Sequence, residues 1–155
     1  MRVQAADFDL STEIAALRQA RPTLGAVVVF VGLVREMNAG AAVSEMLLEH
    51  YPAMTQKALE AIVNQAQLRW DIEDALVIHR VGRLLPMDQI VLVAVAGAHR
   101  GPAFQACEFI MDYLKTQAPF WKKEQTPRGA RWVEAKADDD AAAARWQKGG
   151  AHEGE

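Results

Sequence analysis

A single cysteine, Cys107, stands in the 155 residues. One thiol cannot close an internal disulfide or build a thiolate metal cluster, which excludes disulfide-stapled and cysteine-rich zinc modules. Long apolar runs are missing too. The longest, Leu24 to Val34, has eleven residues and includes Gly25 and Gly32, far short of the roughly 20 that cross a bilayer. The N-terminus shows no basic stretch followed by an apolar segment and a cleavage site, so the expected location is cytoplasmic. Excess charge is absent as well: 17 Lys plus Arg face 20 Asp plus Glu, a net −3, whereas nucleic-acid-binding domains are usually basic overall. Neither a nucleic acid nor a membrane is an expected partner. Phosphate loops of the G-x-x-x-x-G-K-[ST] type, G-x-G-x-x-G, G-x-S-x-G and H-E-x-x-H do not occur. The four histidines, His50, His79, His99 and His152, show no ligand spacing, and no metal site is expected.

What is present is the mix of an ordinary globule, 51% hydrophobic and 24% charged, in a length suited to one domain. A strand is predicted near Arg2 to Ala6, then a helix over 11–20 capped by Ser11. Gly25 to Arg35 is β-branched and almost wholly apolar, the pattern of a central strand covered on both faces. Polar turn residues fill 36–40, and Ser44 to Tyr51 reads as a strand. Pro52 opens a helix with Met54, Ala58, Ala61, Ile62, Ala66 and Trp70 at helical spacing. Ala75 to Val81 and Gln89 to Ala96 are strands joined closely enough to pair antiparallel. A helix from Pro102 carries the stripe Ala103, Cys107, Ile110, Met111 and Leu114 and stops before Pro119. Phe120 to Gln125 and Arg131 to Ala135 read as extended, with Phe120 and Trp121 as core anchors, and a short helix runs from Ala137 through Trp146. Short strand-to-strand connections favour an α+β fold over a doubly wound parallel sheet. Residues 1–146 form the expected single domain, and 147–155 a frayed polar tail.

The chemistry lies in basic residues at element ends: Arg35, His99, Arg100, Lys115, Lys122 and Lys123. Two readings fit. Each is a solvated terminus, or several converge in a cleft that binds a phosphate or carboxylate. In such a cleft a lysine crowded by other cations loses its proton more easily and can act as base or nucleophile. Cys107, mid-stripe on an apolar face, reads as a buried hydrophobe.

Six segments then carry a resemblance: Gly25 to Arg35, Leu48 to Met54, His79 to Gly82, Ala98 to Arg100, Met111 to Thr116, and the rare run Ala118-Pro119-Phe120-Trp121-Lys122-Lys123-Glu124. In register, they resemble the MoaE family, the large catalytic subunits of molybdopterin synthase. The resemblance implies an α+β fold of the α/β-hammerhead type, with a mixed, largely antiparallel sheet packed by helices. It implies a sulfurtransferase of molybdenum cofactor biosynthesis that converts cyclic pyranopterin monophosphate to molybdopterin by inserting two sulfurs. The sulfur would come from the thiocarboxylated C-terminus of a small ubiquitin-like subunit (MoaD), so no cofactor is expected. A homodimer of large subunits within a heterotetramer is implied.

By position, Lys115 and Lys122 match the family's catalytic lysines. Leu33, Val34, Arg35, His99, Arg100, Lys123 and Glu124 match substrate-binding segments together with those lysines, and Phe30 matches a position near the partner's tail. Two rivals remain: a non-catalytic module that binds a ubiquitin-like Gly-Gly tail, and a metal-dependent hydrolase using His50, His79 or His99.

Overall fold

The computed structural model describes residues 1–38, 40–118, 120–133 and 137–148, with the side chains at 121, 137 and 148 left aside. In chain order the elements are β1 (Arg2–Gln4), α1 (Leu10–Arg18), β2 (Ala26–Leu33), β3 (Met37–Asn38), β4 (Ala41–Ala42), β5 (Glu45–His50) and α2 (Pro52–Arg69). There follow β6 (Asp74–Arg80), β7 (Gly82–Leu84), β8 (Gln89–Gly97), α3 (Arg100–Thr116), β9 (Phe120–Thr126), β10 (Gly129–Val133) and α4 (Ala137–Lys148).

One sheet has the order β1-β6-β8-β2, parallel only between β1 and β6. Its axis is β8, buried from Val91 to Gly97. Alternation along β8 sends Val91, Val93 and Val95 into a core with α2 and α3, and Leu92, Ala94 and Ala96 into a second core with Phe8 and Leu17. Period-two geometry thus lets one apolar strand serve two layers. A second sheet, β10-β9-β5-β7, is antiparallel throughout, and β3 with β4 makes a small hairpin. The fold is α+β with mostly antiparallel pairing, divided between two sheets and that hairpin.

Four local expectations change. The run Gly25 to Arg35 yields an edge strand, not a central one, because β2 pairs with β8 alone in its sheet. Its apolar residues Phe30 (40% exposed) and Leu33 (53%) face a cavity instead of a second layer. Helix α1 is capped by Asp9, whose Oδ1 accepts from the Thr12 N–H at 2.8 Å. Ser11 lies inside the first turn and cannot reach that donor. The buried face of α2 is Thr55, Leu59, Ile62, Val63 and Ala66, while Met54 is 61% exposed; the larger aliphatics Leu59 and Val63 decide the face over the alanines. Finally, the 82–88 connection contains β7, which leaves its neighbours' sheet to pair with β5. Of the expected tail 147–155, Gln147 and Lys148 instead continue α4; the rest of that tail, positions 134 and 135 of the expected last strand, and the side chain of Trp121 lie outside the described residues.

Candidate active site

Where the end of β2, the β3–β4 hairpin, β9, the last turn of α3 and the first turn of α4 meet, a cavity of about 270 Å³ opens. Strand β9 delivers its chemistry by alternation. Phe120, Lys122 and Glu124 line the cavity, and Lys123 points away, its Nζ 5.5 Å from the ring of Trp132, the residue directly across on β10. In β2, Phe30 and Gly32 face inward, and a register shift between Gly32 and Leu33 adds Leu33 to the same wall. Val34 is buried instead with Met46, Leu48 and Leu84, held by backbone bonds to Met87 and Asp88. That anchor leaves Arg35 to emerge at the cavity.

Helix α3 brings Lys115 to the cavity from its last turn. Its other end cannot follow. His99 is the N-cap and Arg100 the first residue, and fifteen residues at 1.5 Å each separate Arg100 from Lys115 by about 22 Å. Both residues are exposed and absent from the cavity lining. Of the residues expected at the site, the cavity therefore gathers Phe30, Leu33, Arg35, Lys115, Lys122 and Glu124, and leaves Val34, His99, Arg100 and Lys123 outside it.

The electrostatics centre on Lys122. Burial, then the adjacent Lys115 and a hydrogen bond to it, lowers its pKa from 10.5 to about 8. An ammonium loses water contacts on burial and is repelled by a second cation, so the neutral amine gains. Asp139 and Glu124 act in the opposite direction. Glu124 is fully buried; its Oε1 accepts from Asn38 Nδ2, and its Oε2 has no hydrogen-bond partner among the described residues.

Two polar lining groups, Asn38 and Asp139, were not singled out by the sequence, and His79, considered there only as a metal ligand, also lines the cavity. His79 stacks on Phe120 with ring centroids 3.8 Å apart. Its Nδ1 lies 2.8 Å from the Arg80 carbonyl, which can only accept, so Nδ1 carries the proton. Burial, reinforced by Lys122 and Lys115, holds its pKa down to about 4 against the favourable Arg80 contact, and the neutral ring keeps Nε2 as an acceptor. Cys107 packs in the α2–α3 core, its thiol pushed up by burial to about 11. No three His, Cys, Asp or Glu side chains among the described residues are grouped to hold a metal, and no described helix is long and apolar enough to cross a membrane.

The cavity's walls thus join two lysines, an arginine and a buried glutamate. A molybdopterin synthase catalytic subunit of Ralstonia nicotianae is 68% identical over 146 residues, 94% of this chain and 83% of that protein. The structure of a molybdopterin biosynthesis MoaE protein from Burkholderia ambifaria superposes with a TM-score of 0.81 at 59% identity, covering 94% of this chain and 96% of that one. A Helicobacter pylori structure, a complex of subunits 1 and 2 of molybdopterin-converting factor, shares the fold with a TM-score of 0.70 at 21% identity, covering 88% and 90%. The family described as MoaE protein matches residues 3–117, and with that match the chain belongs to the MoaE family.

Proposed function

We propose that this chain is the catalytic subunit of a molybdopterin synthase. It acts as a sulfurtransferase that converts cyclic pyranopterin monophosphate to molybdopterin, taking two sulfurs from the thiocarboxylated C-terminus of a small ubiquitin-like subunit. The observation that carries this reading is Lys122, held near a pKa of 8 beside Lys115 in a cavity that also contains Arg35.

Substrate phosphate and partner thiocarboxylate are both anions, and a neutral cavity would resist holding them together. Arg35 offers the planar fork that suits a phosphate. Lys115 supplies fixed positive charge where negative charge develops on the thiocarboxylate carbonyl. Lys122, poised between its two protonation states near neutral pH, moves protons. Phe30, half-exposed at the cavity wall, offers apolar contact to the entering tail.

No cofactor enters this scheme, because sulfur arrives on the partner and Cys107 is buried away from the cavity. Residues 1–146 carry the activity, in the cytoplasm. The Helicobacter pylori complex of two subunits supports a small-subunit partner. A homodimer of large subunits is proposed as well, since α3 is too long for His99 and Arg100 to reach the Lys115 cavity of their own chain; a second copy is their route to a substrate.

Mass-spectrometric analysis of product from precursor, this chain and thiocarboxylated small subunit tests the reading. Dithiolene product is expected with wild type, and Lys115→Ala is expected to abolish it while retaining partner binding. Retained partner binding without any wild-type product would make the chain a tail-binding module and overturn the proposal.

A further inference from the structure

The β3–β4 hairpin, Met37–Asn38 against Ala41–Ala42, contributes one side chain to the cavity chemistry. Asn38 Oδ1 accepts from Arg35 Nη2 at 3.2 Å, and Asn38 Nδ2 donates to Glu124 Oε1. The amide's orientation is forced. A guanidinium only donates, so the oxygen must face Arg35, which leaves the NH₂ to donate to Glu124 Oε1. One neutral group therefore spans the cavity's arginine and its buried acid.

The hairpin itself is held by other contacts. Arg131 Nη2 donates to the Asn38 carbonyl at 2.7 Å, Val43 N–H to the Glu36 carbonyl at 2.7 Å, and Ser44 N–H to the Gln125 carbonyl at 2.9 Å. None of these three uses the Asn38 amide. Arg35 is exposed and carries a long flexible stem, whose rotamer freedom opposes binding unless something restricts it. Glu124 has one oxygen engaged by Asn38, and the other, Oε2, is buried with no hydrogen-bond partner among the described residues.

We propose that Asn38 is a positioning residue for substrate binding, one that fixes the Arg35 guanidinium at the cavity wall by tying it to the buried Glu124 carboxyl. This rests on the function proposed above, in which Arg35 meets the precursor's phosphate. Asn38 touches no reacting atom; it acts through its two neighbours.

Steady-state turnover with purified precursor and thiocarboxylated small subunit tests it, alongside thermal melting. Asn38→Ala is expected to raise KM for the precursor about tenfold, the scale of one charge-assisted hydrogen bond, with kcat and the melting temperature little changed. In an Arg35→Ala background the same substitution should shift KM less than about twofold, because coupled residues are not additive. Asn38→Asp keeps the acceptor for Arg35 but sets a carboxylate against Glu124, so it should be worse than Asn38→Ala. Adding Glu124→Gln restores a donor across that contact and should recover part of the loss. Equal KM shifts with and without Arg35, or a drop in melting temperature with KM unchanged, would overturn the positioning role while leaving the synthase reading intact. Absence of turnover by wild type would overturn both.

Discussion

At the scale of single residues, the cavity's reactivity depends on one amine whose hold on its proton is loosened by burial and by a neighbouring lysine. Lys122 sits near a pKa of 8 through burial first and Lys115 second. Replacing Lys115 by Met removes the second cause and leaves the first. Lys115→Met should therefore move Lys122 upward from about 8, part of the way to 10.5, read from the pH dependence of amine acylation at Lys122 by mass spectrometry. An unmoved midpoint would show that the two side chains do not interact. His79 gives the opposite kind of test, in global stability. Its folded pKa of about 4 lies below the ordinary 6.5, so between those values the unfolded chain binds a proton that the folded chain refuses. Stability is then fully present above pH 6.5 and declines as pH falls toward 4, by roughly 3 kcal/mol for this one site. His79→Phe, which preserves the stack on Phe120, should flatten that part of the pH–stability curve measured by denaturant unfolding. Cys107, with its thiol raised to about 11 in an apolar core, is too poor a nucleophile to carry sulfur. Cys107→Ala should leave turnover within about twofold of wild type.

At the scale of elements, close approach of β2 to β8 sets where the cavity wall stands. Gly25, just before β2, bonds through its N–H to the Gly97 carbonyl at 3.0 Å, and a Cβ there would lie 2.1 Å from the Ala98 carbonyl oxygen. Backbone cannot rotate away as a side chain can. Gly25→Ala should cost about 1–3 kcal/mol, seen as a lowered melting temperature, and should loosen the β2 wall that carries Phe30 and Leu33. Most elements were legible: α3 by the helical spacing of its apolar stripe, and β8 by a short β-branched apolar run between turn residues. The β3–β4 hairpin was not, since two-residue strands have no period to read. Alternation along β9 was legible in principle and separates Lys122 from Lys123. Asn38 and Asp139 were not, because nothing local in their segments announces a contact with β9. The edge position of β2 was hidden for a further reason: apolar residues that line a cavity look, in sequence, like those that fill a core.

At the scale of the whole molecule, α3 is a ruler. Its 17 residues place the basic pair His99 and Arg100 about 22 Å from Lys115, too far for one substrate to meet both ends. A net charge of −3 thus conceals two separate cationic regions, one in the cavity and one at the helix start. Within the proposed homodimer the two regions can meet across the interface, because a two-fold axis brings unlike surface regions of its copies together reciprocally. Each active site would then draw Lys115 from one chain and Arg100 from the other. Lys115→Ala and Arg100→Ala chains, each inactive alone, are expected to regain activity when unfolded together and refolded as a mixture. Random pairing makes half the dimers mixed, and each mixed dimer has one intact site and one doubly substituted site, so recovery should approach about a quarter of wild-type turnover. Measured on the refolded mixture with saturating small subunit, no recovery would mean that Arg100 serves its own chain or no substrate at all, and the shared site would fall.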